Sequence, residues 1–154
     1  MEGNFIQWNI RGIQANREEL QILFCDFNPS VICLQETFMK DNSTVGFRDY
    51  SLYQCSGTEN NGIFHGGVAI LVNSSIAHKP VPINTNLQAV AVRVTITVCS
   101  IYLPPSQSCN LSDLENLFTQ LPTPVLLLGD FNAHSPVWGS NKVDRRGKIV
   151  EDLI

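Results

Sequence analysis

Val125–Asn132 reads VLLLGDFN: an apolar run, a glycine, then an acid and an amide at the point where the run stops. The run has the composition of a strand buried in a sheet. Three other segments finish the same way. Phe5–Asn9 (FIQWN) ends on Asn9, Val31–Glu36 (VICLQE) on Glu36, and Thr97–Tyr102 (TVCSIY) on Tyr102. In α/β folds ligands bind beyond the carboxyl ends of strands, where a rigid sheet positions polar side chains. A single polar strand end carries no information. Four of them, bearing carboxylates, carboxamides and a phenol but no serine or cysteine placed for a triad, point to a water-using, metal-assisted site.

The segments between alternate in kind. Leu20, Leu23, Phe24 and Phe27 recur at helical spacing, Asn16 with Glu19 reads as a capping pair, and Asn28-Pro29 stops the helix. Val31–Gln35 is too short for a helix and reads as a strand covered on both faces. From Phe38 to Phe64 the chain is polar and rich in Gly, Asn and Ser, which predicts surface loops around one strand at Tyr50–Cys55. Gly67–Val72, Leu87–Thr95 and Thr97–Leu103 are β-branched and predict a meander of neighbouring strands. Ser112 and Glu115 match a capping box for a second helix with Leu114, Leu117, Phe118 and Leu121 on its apolar stripe, closed by Pro122. GDFNAHSPVWGSN is a loop, and Ile149, Val150, Leu153 and Ile154 begin a third helical stripe. The reading is one α/β domain over residues 1–154.

Composition narrows the class. The 154 residues are 44% hydrophobic and 16% charged, enough to build a core and unlike a disordered chain. No apolar run approaches the roughly 20 residues of a membrane span. Ten basic and 14 acidic side chains give a net charge of −4, so contact with nucleic acid would depend on local patches. The start of the chain lacks the basic and apolar regions of a signal peptide. Five cysteines with no CxxC pair read as reduced core thiols of an intracellular protein, and the sequons at Asn42, Asn73 and Asn110 as chance matches.

A phosphodiester substrate would suit the strand-end residues. Charge grows on the phosphoryl oxygens during hydrolysis, and a divalent cation neutralises it. Mg²⁺, with Mn²⁺ as the alternative, needs only one or two protein carboxylates. An aspartate can orient and deprotonate water while amides and a phenol donate to phosphate oxygens.

The series QWNIRG, PSVICLQET, GGVAILV, SIYLPP and LLLGDFNAHSPVWGS, spread from about Phe5 to Gly147, resembles the endonuclease/exonuclease/phosphatase superfamily, and within it the apurinic-type endonuclease domain of jockey-like non-LTR retrotransposons. The resemblance implies a four-layer α/β sandwich, two facing sheets flanked by helices. It also implies a Mg²⁺-dependent DNA-nicking activity whose 3′-hydroxyl primes a downstream reverse transcriptase, with DNA as partner and the nucleus as workplace. Carried over by position, Glu36 is the metal-binding glutamate and Asn9 the asparagine supporting it. Tyr102 contacts the scissile phosphate, Asp130 activates or orients the water, and Asn132 holds phosphate and water beside it. His134, Trp138 and Gly139 shape the loop. Arg145, Arg146 and Lys148 at a helix start suit either a phosphate-backbone contact or, more commonly, a solvated face, and no role is assigned to them.

Two departures qualify the likeness. Position 11, an aspartate in the cellular repair enzymes, is Arg11, which leaves metal binding leaning on Glu36. The family's closing Ser-Asp-His motif is absent, since His65, His78 and His134 stand in other contexts. The chain therefore reads as the first two-thirds or so of the domain, incomplete at the C-terminus and inactive alone. Two other readings compete: a superfamily phosphatase or phosphodiesterase acting on a small or lipid phosphate, and a catalytically dead remnant kept as an interaction module. The WGSN loop argues against the former.

Overall fold

The computed structural model describes residues 3–41, 43 and 45–154; the sequon at Asn42 lies outside them. Two four-stranded sheets face each other. The first holds β1 (Phe5–Asn9), β2 (Val31–Gln35), β6 (Val68–Asn73) and β3 (Tyr50–Cys55) in that spatial order. The second holds β10 (Val125–Asp130), β9 (Thr97–Tyr102), β8 (Gln88–Arg93) and β7 (Lys79–Val81). A small hairpin, β4 (Thr58–Asn60) and β5 (Ile63–His65), stands apart.

Strand parity sorts the core into layers, because successive side chains point to opposite faces. Ile32 and Leu34 of β2 face outward and pack with Leu20 of helix α1 (Arg17–Phe27). Cys99 and Ile101 of β9 face the other way and pack with Leu114 and Leu117 of α2 (Leu111–Thr119), with Ile149 and Leu153 of α3 (Arg145–Leu153) at the margin. Between the sheets lie Val31, Cys33, Ile70, Val72, Val92 and Val98, all buried. The order helix, sheet, sheet, helix is the expected four-layer α/β sandwich. Each buried Val, Leu or Ile adds roughly 1.5–3 kcal/mol to such a core.

The inner layer also carries polar residues. Gln35 and Ser100 are fully buried, and the Gln35 amide donates across the gap to Ser100 Oγ at 3.0 Å. Gln7 of β1 donates to Gln35 Oε1. This chain of amide and hydroxyl ties the sheets together near the strand ends, through the last residue of β2 and residues two before the ends of β1 and β9.

Several expectations need correction. Gly67–Val72 does not join a meander: β6 pairs antiparallel with β2 and β3 in the first sheet, while β8 and β9 form a hairpin in the second. Residues 38–64 are not all surface, since Met39 and Phe47 enter the core under α1 and the chain makes the β4–β5 hairpin. The strand β7 was not anticipated. Asn16 makes no capping bond; its amide instead donates to Ile10 O and Gly12 O. Helix α2 is capped two residues earlier than expected, by Asn110, which accepts from Asp113 N at 2.9 Å while Asp113 Oδ2 accepts from Asn110 N at 3.1 Å. Asn caps about as well as Ser at this position, and the Asp three residues on completes the box. Strand β10 lies at a sheet edge and is half-buried throughout. Of the cysteines, Cys33 and Cys99 are core thiols, with burial raising both above the usual thiol range, whereas Cys25 is exposed. Among the described residues no helix is long and apolar enough to cross a membrane.

Candidate active site

Register brings the strand ends together. In parallel ladders Asn9 lies beside Gln35, and Asp130 beside Tyr102. Gln7 and Asn9 share one face of β1, while Ser100 and Tyr102 share the inner face of β9. The Gln35–Ser100 bond fixes which ends meet across the gap. Just past the strands, Arg11, Glu36 and Asn132 adopt left-handed φ values of 49°, 52° and 46°, turning the chain sharply out of each sheet. Non-glycine residues in that region cost of order 1–3 kcal/mol, and such strain gathers at functional sites. Gly129 serves close packing rather than a turn: a Cβ there would lie 2.0 Å from Ile101 O.

Four of the five predicted side chains form one network, which Asn132 joins through its backbone N–H. The Asn9 amide donates to Glu36 Oε1 at 2.9 Å and to Asp130 Oδ2 at 2.8 Å, bridging carboxylates from opposite sheets. Tyr102 Oη donates to the same Glu36 Oε1 at 2.9 Å. Asn132 N donates to Asp130 Oδ1 at 2.9 Å, and its side-chain amide to Leu103 O at 3.1 Å. Burial, then the hydrogen bond and charge of Glu36, push the Tyr102 phenol up to about 12. At neutral pH it is therefore a hydrogen-bond donor, not a phenolate nucleophile.

The carboxylates of this network have no direct ion-pair partner: none of the ion pairs among the described residues includes Glu36 or Asp130. Asn9 Oδ1 is buried without a hydrogen-bond partner beside them. Both amide hydrogens face carboxylates, so this oxygen is a free hard donor. Two carboxylates and an orphaned carbonyl oxygen fit a hard divalent cation that keeps several waters. Among the described residues no group of three or more His, Cys, Asp or Glu side chains is placed to hold a metal ion.

Two clefts flank the network. One of about 890 Å³ runs along β1 and β10, lined by Trp8, Asn9, Asp130, Asn132 and Trp138. The other, about 480 Å³, lies between the β4–β5 hairpin and the segment after β9, lined by Asn60, His65, Tyr102 and Gln107. The loop after Asp130 is itself organised. His134 Nδ1 pairs with Asp144 Oδ2 at 2.7 Å, Trp138 Nε1 donates to Ala133 O at 3.1 Å, and Pro136–Trp138 makes a 3₁₀ turn ending on Gly139. The basic triplet divides. Arg145 and Lys148 are exposed, with Lys148 beside Asp152 at 2.8 Å, but Arg146 is half-buried and turned onto backbone carbonyls, not solvent.

Comparison with known proteins agrees with this geometry. A family described as endonuclease-reverse transcriptase matches residues 96–154. The RNA-directed DNA polymerase from mobile element jockey of Drosophila melanogaster is 32% identical over 96% of this chain, and that of Drosophila funebris 29% identical over 96%; the chain spans 17% of the length of each. Among solved structures, the endonuclease domain of TRAS1, a telomere-specific non-LTR retrotransposon, superposes with a TM-score of 0.76 and 24% identity, over 96% of this chain and 71% of that one. A 3′ phosphatase from Neisseria bound to product DNA hairpin superposes with a TM-score of 0.68 and 17% identity, over 96% and 69%. The chain has the fold of the endonuclease/exonuclease/phosphatase superfamily and is similar to its members. Within that fold the likeness extends to the endonuclease domain of a non-LTR retrotransposon and to the mobile-element polymerases.

Proposed function

We propose that this chain carries most of the hydrolytic centre of a DNA-nicking endonuclease domain belonging to a retrotransposon polyprotein with reverse transcriptase downstream. The observation that carries the reading is the Asn9 amide bridging Glu36 and Asp130 from opposite sheets, with Asn9 Oδ1 left unpartnered beside two carboxylates that enter no ion pair among the described residues. Glu36 and Asn9 would hold Mg²⁺, with Mn²⁺ able to replace it. When bound, the cation supplies charge neutralisation for the phosphoryl oxygens.

The chain's own residues divide the rest. Asp130, its two oxygens fixed by Asn132 N and Asn9 Nδ2, orients the attacking water and takes its proton. Tyr102, kept protonated, turns its hydroxyl toward a phosphoryl oxygen. Asn132 has one amide hydrogen on Leu103 O and a second for the phosphate. The relatives' names favour DNA over a small or lipid phosphate as substrate. A domain that nicks chromosomal DNA works in the nucleus.

Supercoiled plasmid with Mg²⁺ tests this reading, using the 154-residue chain and the same chain extended to the length of the TRAS1 domain. Open circles bearing 3′-hydroxyl ends, formed by the extended chain and abolished by Glu36→Gln, support it. Nicking unchanged by Glu36→Gln or Asp130→Asn contradicts it. The expected inactivity of the 154 residues alone is read from the same gel.

A further inference from the structure

Arg146 stands in the first turn of α3 and reaches back across both loops of the site. Its Nη1 donates to Leu103 O at 2.9 Å and Phe131 O at 3.1 Å; its Nη2 donates to Pro104 O at 3.0 Å and Gln107 O at 2.6 Å. Leu103 and Pro104 follow Tyr102 directly, and Phe131 separates Asp130 from Asn132. Leu103 also links the loops: its N–H donates to Asp130 O at 3.0 Å, and its carbonyl accepts from Asn132 Nδ2. A guanidinium spreads five N–H groups over a rigid plane and is weakly hydrated, which suits it to several carbonyls at once. Committed this way, it is not presented to a phosphate.

The turn that carries Arg146 is fastened independently. Asp144 caps the helix by accepting from Gly147 N at 2.6 Å, pairs with His134, and donates its own N–H to His134 O at 3.0 Å. A Cβ at position 147 would lie 1.9 Å from His134 O, so only glycine permits this approach.

We propose that Arg146 is a positioning residue: the first turn of α3 is a clasp whose guanidinium sets the spacing between Tyr102 and the Asp130–Asn132 pair. Its consequence for turnover rests on the hydrolytic reading above, while the clasp itself can be tested in the chain alone. Amide hydrogen exchange of wild type, Arg146→Lys and Arg146→Ala provides that test. Removing the guanidinium should speed exchange at Leu103 and Asn132 about tenfold or more, leaving Ile70 and Leu71 in β6 unchanged. Arg146→Lys, with one compact ammonium for four carbonyls, should fall between, and it carries the comparison if Arg146→Ala does not fold. Equal rates at Leu103 and Asn132 overturn the proposal, and so does an acceleration shared equally by β6, which would make Arg146 a general stabiliser.

In the nicking assay, Arg146→Lys should lower kcat with KM for DNA held within about twofold. Raised KM at unchanged kcat would make it a DNA contact and overturn the proposal. If no variant of the extended chain nicks, wild type included, the hydrolytic reading has failed and the exchange data decide the clasp.

Discussion

Glu36 and Asp130 each take hydrogen bonds from the same asparagine, yet neither enters an ion pair among the described residues. Replacing either with its amide removes the charge while preserving shape. Asp130→Asn should lower plasmid nicking by about 10²-fold or more, as for a general base. Tyr102→Phe removes a single donor and should cost roughly 10²-fold in kcat. Because the phenol is pushed up to about 12, wild-type nicking should show no inflection from Tyr102 below about pH 10, which a pH profile checks. These residues were legible in the sequence because each ends an apolar run, and strand parity fixes where such ends point. Arg146 was not legible. A basic triplet at a helix start looks the same whether it is solvated or turned onto carbonyls, since backbone acceptors leave no trace in side-chain pattern.

Elements show the same division. The strands at Phe5, Val31, Thr97 and Val125 are legible from composition, but which sheet each joins depends on pairing between distant segments. β6 was therefore misplaced beside β8. Capping was legible only as a motif: Ser112 matches the pattern for α2, whereas Asn110, with its extended φ of −125°, occupies the position. Asn110→Ala should lower stability by about 1 kcal/mol and Ser112→Ala by much less, read from urea midpoints at constant slope.

For the whole molecule, the decisive feature is that two sheets built from separate halves of the chain are locked at one end. Gln35 and Ser100 form that lock in a fully buried layer. Ser100→Ala leaves a buried amide hydrogen unpaired and should cost about 1–3 kcal/mol, with a further loss in nicking as Glu36 and Tyr102 drift apart. Acid should act at the α3 end. The Gly147 N–H and His134 hold Asp144 down at about 2, so its contribution is present above the ordinary carboxylate range and lost as pH falls from about 4 toward 2. Asp144→Asn should flatten that part of an acid-unfolding curve. The proposal stands on one divalent cation held by Glu36 and Asn9 of the first sheet, beside Asp130 and Tyr102 of the second. Titrating ¹⁵N-labelled chain with Mn²⁺ alone tests it without requiring turnover. Paramagnetic broadening that begins at Asn9, Glu36, Tyr102, Asp130 and Asn132 and disappears in Glu36→Gln is the predicted result. Broadening that begins instead at Asp144, Glu151 and Asp152 on α3, leaving the strand ends sharp, would contradict it.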